Sequence, residues 1–154
     1  MARFVIAPQW QGSPSPRAML LVDGAQAIMG DLPRAACTAI DVPLEAGESL
    51  ETGVRRFSAL TRIRAQLDEV LAAQPEAPIV IGGDCGVSVG AVRAAAARQS
   101  DLALVWLDAH ADLNTPSSSP SGAFSGMALA AVLGDGAGEL SLPAGTLPPD
   151  RVVL

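Results

Sequence analysis

The chain has 154 residues, 49% of them hydrophobic, with 10 basic and 16 acidic side chains and a net charge of −6. That length fits one domain able to bury roughly two-thirds of its unfolded surface, and the acidic balance argues against nucleic acid, whose binders carry basic patches. Two cysteines make no disulfide framework, no basic leader precedes an apolar run, and no apolar stretch nears the ~18 residues that span a bilayer, so the expectation is a soluble protein of the reducing cytoplasm with no membrane partner.

Apolar runs of strand length alternate with segments of helical period, the sequence form of an α/β fold with a largely parallel sheet. A first strand is expected over Arg3 to Ala7, closed by Pro8, and Gly12, Pro14 and Pro16 mark the loop after it. Gly24 to Cys37 reads as a short or broken helix, because Gly30 and Pro33 interrupt it. A second strand follows from Thr38 to Val42. Between Glu51 and Ala73, Phe57, Leu60, Ile63, Leu67, Val70 and Leu71 recur at helical spacing among charged residues, the clearest amphipathic helix in the chain. Ile79 to Ile81 forms a short strand running into Gly82-Gly83-Asp84, with Asp84 expected to cap an Ala-rich helix over Cys85 to Arg98. Leu102 to Leu107 is apolar without alternation, as in a central strand covered on both faces. After a Ser/Pro loop, Gly126 to Leu133 has helical character, Gly134 to Asp150 has little period, and Arg151 to Leu154 reads as a strand. No internal repeat is present. Residues 1–154 therefore read as a single α/β domain, and the strand-like ending makes an unfinished domain the expectation.

Ligands of open α/β sheets bind outside the carboxyl ends of the strands, which directs attention to the polar residues after Ile81 and Leu107. After Leu107 come Asp108, His110 and Asp112. If this segment stays extended, alternation projects all three side chains to one side. Two converging carboxylates repel, and one would have to take up a proton unless a cation lies between them. Carboxylates with an imidazole suit Mn²⁺, Fe²⁺, Co²⁺ or Zn²⁺, ions that acidify bound water. The plain alternative for so short a motif is a pair of solvated loop carboxylates beside a satisfied histidine. His110 is the single histidine, so no mechanism needing two imidazoles can be assembled from this chain alone.

The run Val105-Trp106-Leu107-Asp108-Ala109-His110-Ala111-Asp112-Leu113-Asn114-Thr115-Pro116, with Ser121-Gly122 and Gly126-Met127 after it, resembles the arginase (ureohydrolase) family. So does Ile81-Gly82-Gly83-Asp84 with Cys85 and Gly90 upstream, in matching order and spacing. The resemblance implies a three-layer arginase-like sandwich and a site for two Mn²⁺ ions. Asp108 would bridge them, His110 would bind one and Asp112 the other. Asn114 and Ser121 match positions holding the α-carboxylate of an amino-acid substrate, which favours an arginine-like molecule over a decarboxylated one. The implied reaction is hydrolysis of a guanidino or amidino C–N bond, and the family commonly forms homo-oligomers.

Three departures stand out. The family's histidine ligand after Gly-Gly-Asp is Cys85 here, a soft donor better matched to Zn²⁺ than to Mn²⁺, or simply a small, partly buried residue at a helix start. Its proton-shuttling histidine falls on Ser125, so the candidate catalytic positions are Asp112 and Ser125, and a serine hydroxyl cannot carry that proton at neutral pH. The family's later Asp-x-Asp pair is absent, since Asp135, Glu139 and Asp150 are the only carboxylates after Asp112. Three function classes follow: a metal-dependent hydrolase completed by residues outside this chain, a non-catalytic binding or regulatory relative, and a cysteine hydrolase built on Cys85 and His110. Gly82-Gly83-Asp84-Cys85-Gly86 lacks both the dinucleotide spacing and a phosphate-binding lysine, which sets nucleotide binding aside.

Overall fold

Phe4–Ala7 form strand β1, with Val5, Ile6 and Ala7 buried, in a computed structural model that describes residues 2–154. β1 is the middle of a three-stranded parallel sheet, flanked by β2 (Cys37–Ala39) and β3 (Ile79–Gly82), with Phe4 opposite both Cys37 and Ile79. Helix α1 (Leu20–Gly30) connects β1 to β2 and packs on β1 and β3. It starts earlier than the expected broken helix and passes through Gly24 without a break. Pro33, with no N–H to extend a helical ladder, separates it from a 3₁₀ turn at Arg34–Ala36. β2 stops short of Val42, although the Ile40 N–H still donates to the Ile6 carbonyl at 2.9 Å.

The amphipathic segment forms helix α2 (Phe57–Ala72), which begins later than Glu51 for a backbone reason. Leu50, Glu51, Gly53 and Arg56 have φ of 49°, 57°, 75° and 60°, left-handed values that a right-handed helix cannot include. Along α2, Ile63, Leu67 and Leu71 pack with Val5 and Ala7 of β1, while Leu60 joins a second cluster around Phe124, Met127 and Leu129. Helix α3 (Val87–Arg98) lies against α2, tied to it by Arg93, whose guanidinium donates to Asp68 at 2.6 and 2.9 Å.

β4 (Leu104–Val105) pairs in parallel with β5 (Val152–Val153) as a separate two-stranded sheet. The expected central strand, covered on both faces from Leu102 to Leu107, is not what forms: Val105 is 64% and Leu107 90% exposed. Among the described residues β4 bonds only to β5 and β3 only to β1, so apolar side chains beside those open edges meet nothing. Trp106, pointing the other way, is buried in the second cluster. A 3₁₀ turn (Phe124–Met127) leads into α4 (Ala128–Val132), every residue of which is buried. The aperiodic stretch from 134 to 150 also delivers core residues, Leu140, Leu142 and Leu147.

No helix among the described residues is long and apolar enough to cross a membrane. The packing has a direct test at Leu67, which is buried between α2, β1 and α3. Leu67→Ala is expected to lower stability by about 2–5 kcal/mol, read as a reduced urea midpoint at unchanged slope.

Candidate metal centre

Three loops leave the carboxyl ends of parallel strands: residues 8–16 after β1, 83–86 after β3 and 106–112 after β4. The first two are joined through one buried carboxylate. Asp84 Oδ1 accepts from Gln9 Nε2 at 2.8 Å and from the Gly86 N–H at 2.9 Å, and Oδ2 accepts from the Gly12 N–H at 2.8 Å. Helix α3 starts only at Val87, with Gly86 as its cap residue and no side-chain cap bond, so Asp84 ties loops together where a helix cap was expected. Gly12 and Gly83 are required by this closeness, since a Cβ on either would collide, with Asp84 and with the Gln9 carbonyl respectively. Burial pushes the Asp84 carboxyl up to about 6, against the opposing pull of its three hydrogen bonds and of Arg56.

Arg56 secures the first loop from the other side. Its Nη1 donates to the Gln11 and Ser13 carbonyls at 3.2 and 2.9 Å, and its guanidinium sits 4.8 Å over the Trp10 ring. The Gly12 carbonyl between them accepts from the Ser125 N–H at 3.0 Å, which carries the same framework to the wall of the site. Sequence reasoning missed Gln9, Gly12 and Arg56. The available signal was the polar run Gln9-Trp10-Gln11-Gly12, which follows β1 as Gly83-Asp84 follows β3.

Cys85, between Asp84 and Gly86, directs its Sγ to Asp108 Oδ2 at 3.5 Å. That sulfur and one carboxylate oxygen each from Asp108 and Asp112 lie within 4.8 Å of one another. The segment from 108 to 112 is not extended. Asp108 Oδ1 accepts from the His110 N–H at 2.9 Å, which curls the chain, and Asp112 has φ of 50°. As a result Asp108 and Asp112 converge with Cys85, whereas His110 does not join them. Its imidazole is 83% exposed, with Nδ1 3.6 Å from Asp108 Oδ1. Asp112 is only 7% exposed and its Oδ2 is buried without a hydrogen-bond partner.

Electrostatics in the group are unfavourable as they stand. Burial, then Asp112 and Asp108, push the Cys85 thiol up to about 12. Burial and the neighbouring Asp108 raise Asp112, while the hydrogen bond from the His110 N–H holds Asp108 low. One sulfur and two carboxylates, one of them with an orphaned buried oxygen, form a donor set that fits a single divalent cation.

A cavity of about 630 Å³ opens beside this group, lined by Cys85, His110, Asp112, Asn114, Ser121 and Ser125. Asp108 faces an adjoining groove of about 320 Å³ that shares Cys85. The backbone N–H of Asn114 donates to the Gly126 carbonyl at 3.1 Å, and Ser121 Oγ accepts from the Ala123 N–H at 3.2 Å, so both are held at the cavity wall. Glu45, Glu48 and Glu51 are exposed and lie apart from it.

Residues 17–152 match the model of the Arginase family. Arginase from Staphylococcus aureus (strain MRSA252) is 34% identical over 117 residues, covering 73% of this chain and 39% of the relative; arginase from Bacillus caldovelox is 38% identical over 125 residues, covering 74% and 42%. The chain thus spans about two-fifths of the length of these curated relatives. The solved structure of native Bacillus caldovelox arginase superimposes with a TM-score of 0.79 at 27% identity, covering 100% of this chain and 57% of that one. The Entamoeba histolytica arginase structure, at 23% identity and a TM-score of 0.73, shares the fold.

Replacing Asp84 tests the framework beneath the site. Asn in its place turns one acceptor toward N–H donors as a donor itself. Asp84→Asn should lose about 1–3 kcal/mol of stability, and limited proteolysis should then cut residues 8–16 faster than in the unaltered protein.

Proposed function

The chain belongs to the arginase family, and from that premise we propose that it carries one half of a metal-dependent hydrolase site acting on the guanidino or amidino C–N bond of an arginine-like small molecule. The observation that carries this reading is the convergence of Cys85, Asp108 and Asp112, the last with a buried oxygen that has no hydrogen-bond partner, beside a cavity of about 630 Å³. A divalent ion bound there supplies Lewis acidity and acidifies water at neutral pH. Asp108 and Asp112 would hold it, with the solvent-facing imidazole of His110 a further ligand once its ring turns inward. Asn114 and Ser121 orient the α-carboxylate end of the substrate, and the cavity between them keeps the guanidinium against the acidic group.

Proton movement is where this chain is weak. Ser125 faces the cavity, but its hydroxyl has no pKa near neutrality, and losing a proton-transferring imidazole typically removes a factor of about 10²–10⁴ in rate. The cysteine-hydrolase reading is disfavoured by electrostatics. The Cys85 thiol bonds to Asp108 and is pushed up to about 12, far from the thiolate such chemistry needs. The non-catalytic reading draws on one specific feature, the presence of Cys85 and Ser125 at two positions where the family resemblance calls for histidine.

The two surviving readings separate in one experiment. The 154-residue chain is expected to bind divalent metal weakly and to release no appreciable urea from arginine, agmatine or guanidino acids with Mn²⁺, Co²⁺ or Zn²⁺ added. A Cys85→His, Ser125→His variant that gains metal-dependent urea release supports the hydrolase half-site. Arginine or ornithine binding that needs no metal, with no gain in the double variant, would favour the non-catalytic relative.

A further inference from the structure

We infer that Cys85 is a direct metal ligand, so that the centre is a thiolate–dicarboxylate site selective for Zn²⁺, or Co²⁺ as its probe, over Mn²⁺. The inference rests on the metal-centre reading above and goes beyond it by naming the ion class and the residue that selects it.

Geometry supplies the first argument. The Sγ of Cys85 lies with oxygens of Asp108 and Asp112 in one group of mutual separation within 4.8 Å, while the imidazole of His110 stays outside it. The independent argument is Asp112, whose side chain is nine-tenths buried with Oδ2 lacking any hydrogen-bond partner. A buried carboxylate oxygen without a donor is costly relative to a satisfied one, and a cation held by Asp112 would supply the missing partner.

The main chain that carries the thiol is also fixed. Its residue is bracketed by Asp84, fixed through Gln9 and Gly12, and by Gly86, whose N–H is bonded to the same carboxylate. A Cβ on Gly86 would meet Gln9 and Phe124, so the main chain on that side is packed against both loop and core. Preorganised ligands bind without an ordering cost, and a coordinating thiol gives up its proton to solvent as the metal–sulfur bond forms. One sulfur and two oxygens are three protein donors, the number that open zinc sites use, and would leave a bound ion room for solvent or substrate. Mn²⁺, a hard ion that prefers oxygen and imidazole, gains little from the sulfur.

The test uses the reduced, intact chain. Titration with Co²⁺ should give the near-ultraviolet thiolate-to-cobalt charge-transfer band, lost in Cys85→Ser and kept in Cys37→Ser. In the unaltered protein a saturating excess of Zn²⁺ should slow alkylation of Cys85, but not of Cys37, by roughly tenfold or more, whereas the same concentration of Mn²⁺ leaves both unchanged. Cys85→His should shift the Zn²⁺ to Mn²⁺ affinity ratio toward Mn²⁺ by a comparable factor. Binding of Co²⁺ without a thiolate band, or a Zn²⁺ to Mn²⁺ ratio indifferent to residue 85, would overturn the inference and leave a carboxylate-based metal centre standing. Absence of binding by any of these ions, to the unaltered chain and to Cys85→His alike, would overturn both.

Discussion

The buried carboxylate of Asp84 is the constraint on which the site depends. Its two oxygens take three N–H donors from two loops that the sheet alone does not hold together. Through Gly12 it reaches Ser125, and through Gly86 it sets the start of α3 and the backbone of Cys85. Desolvating a carboxylate so completely is costly, and the compensation comes from charge-assisted hydrogen bonds, each stronger than a neutral one. Arg56, bonded to the carbonyls on either side of Gly12, adds an opposite charge at longer range. The result is a rigid floor under a group whose own charges repel.

That floor explains how an electrostatically poor cluster persists. Cys85, Asp108 and Asp112 are each fixed by something other than one another: Cys85 by its neighbours' bonds, Asp108 by the turn it closes with the His110 N–H, and Asp112 by its main chain. Only the contact of the Cys85 thiol with Asp108 Oδ2 is attractive within the group, so two neighbouring carboxylates are brought together mainly by the surrounding main chain. Stability given up at such a place is recovered in the two apolar clusters beneath, where α2 presents Leu60 to one and Ile63, Leu67 and Leu71 to the other.

Much of this was legible in the sequence, and the failures have identifiable causes. The α/β alternation, β1, β3 and the apolar face of α2 follow from period and length, because those elements are decided by burial. The start of α2 was misread since left-handed residues at 50, 51 and 56 carry no compositional mark; only Gly53 does. β4 was misread because an apolar run predicts burial by a partner, and the described residues provide one along a single edge. In the site, Cys85, Asp108, Asp112, Asn114, Ser121 and Ser125 were all singled out from their positions after strands or from the family resemblance. His110 behaves differently because alternation was assumed where the chain in fact turns.

The turn at Asp112 shows why spacing alone could not give the geometry. An aspartate is one of the few residues that enters the left-handed region at modest cost, and here the conformation is over-determined: the Asp112 carbonyl accepts from both the Leu129 and Ala130 N–H groups at the start of the fully buried α4. Those two bonds fix the peptide after Asp112, and the positive φ then rotates its side chain inward, to the side of Cys85. The same bonds satisfy N–H groups that a helix leaves unpaired at its N-terminus, so the element that stabilises the core also aims the carboxylate. A motif read as alternating positions on a strand is therefore built by a helix end remote in sequence, and the side chains that converge are Cys85, Asp108 and Asp112, with His110 left on the solvent side of the turn.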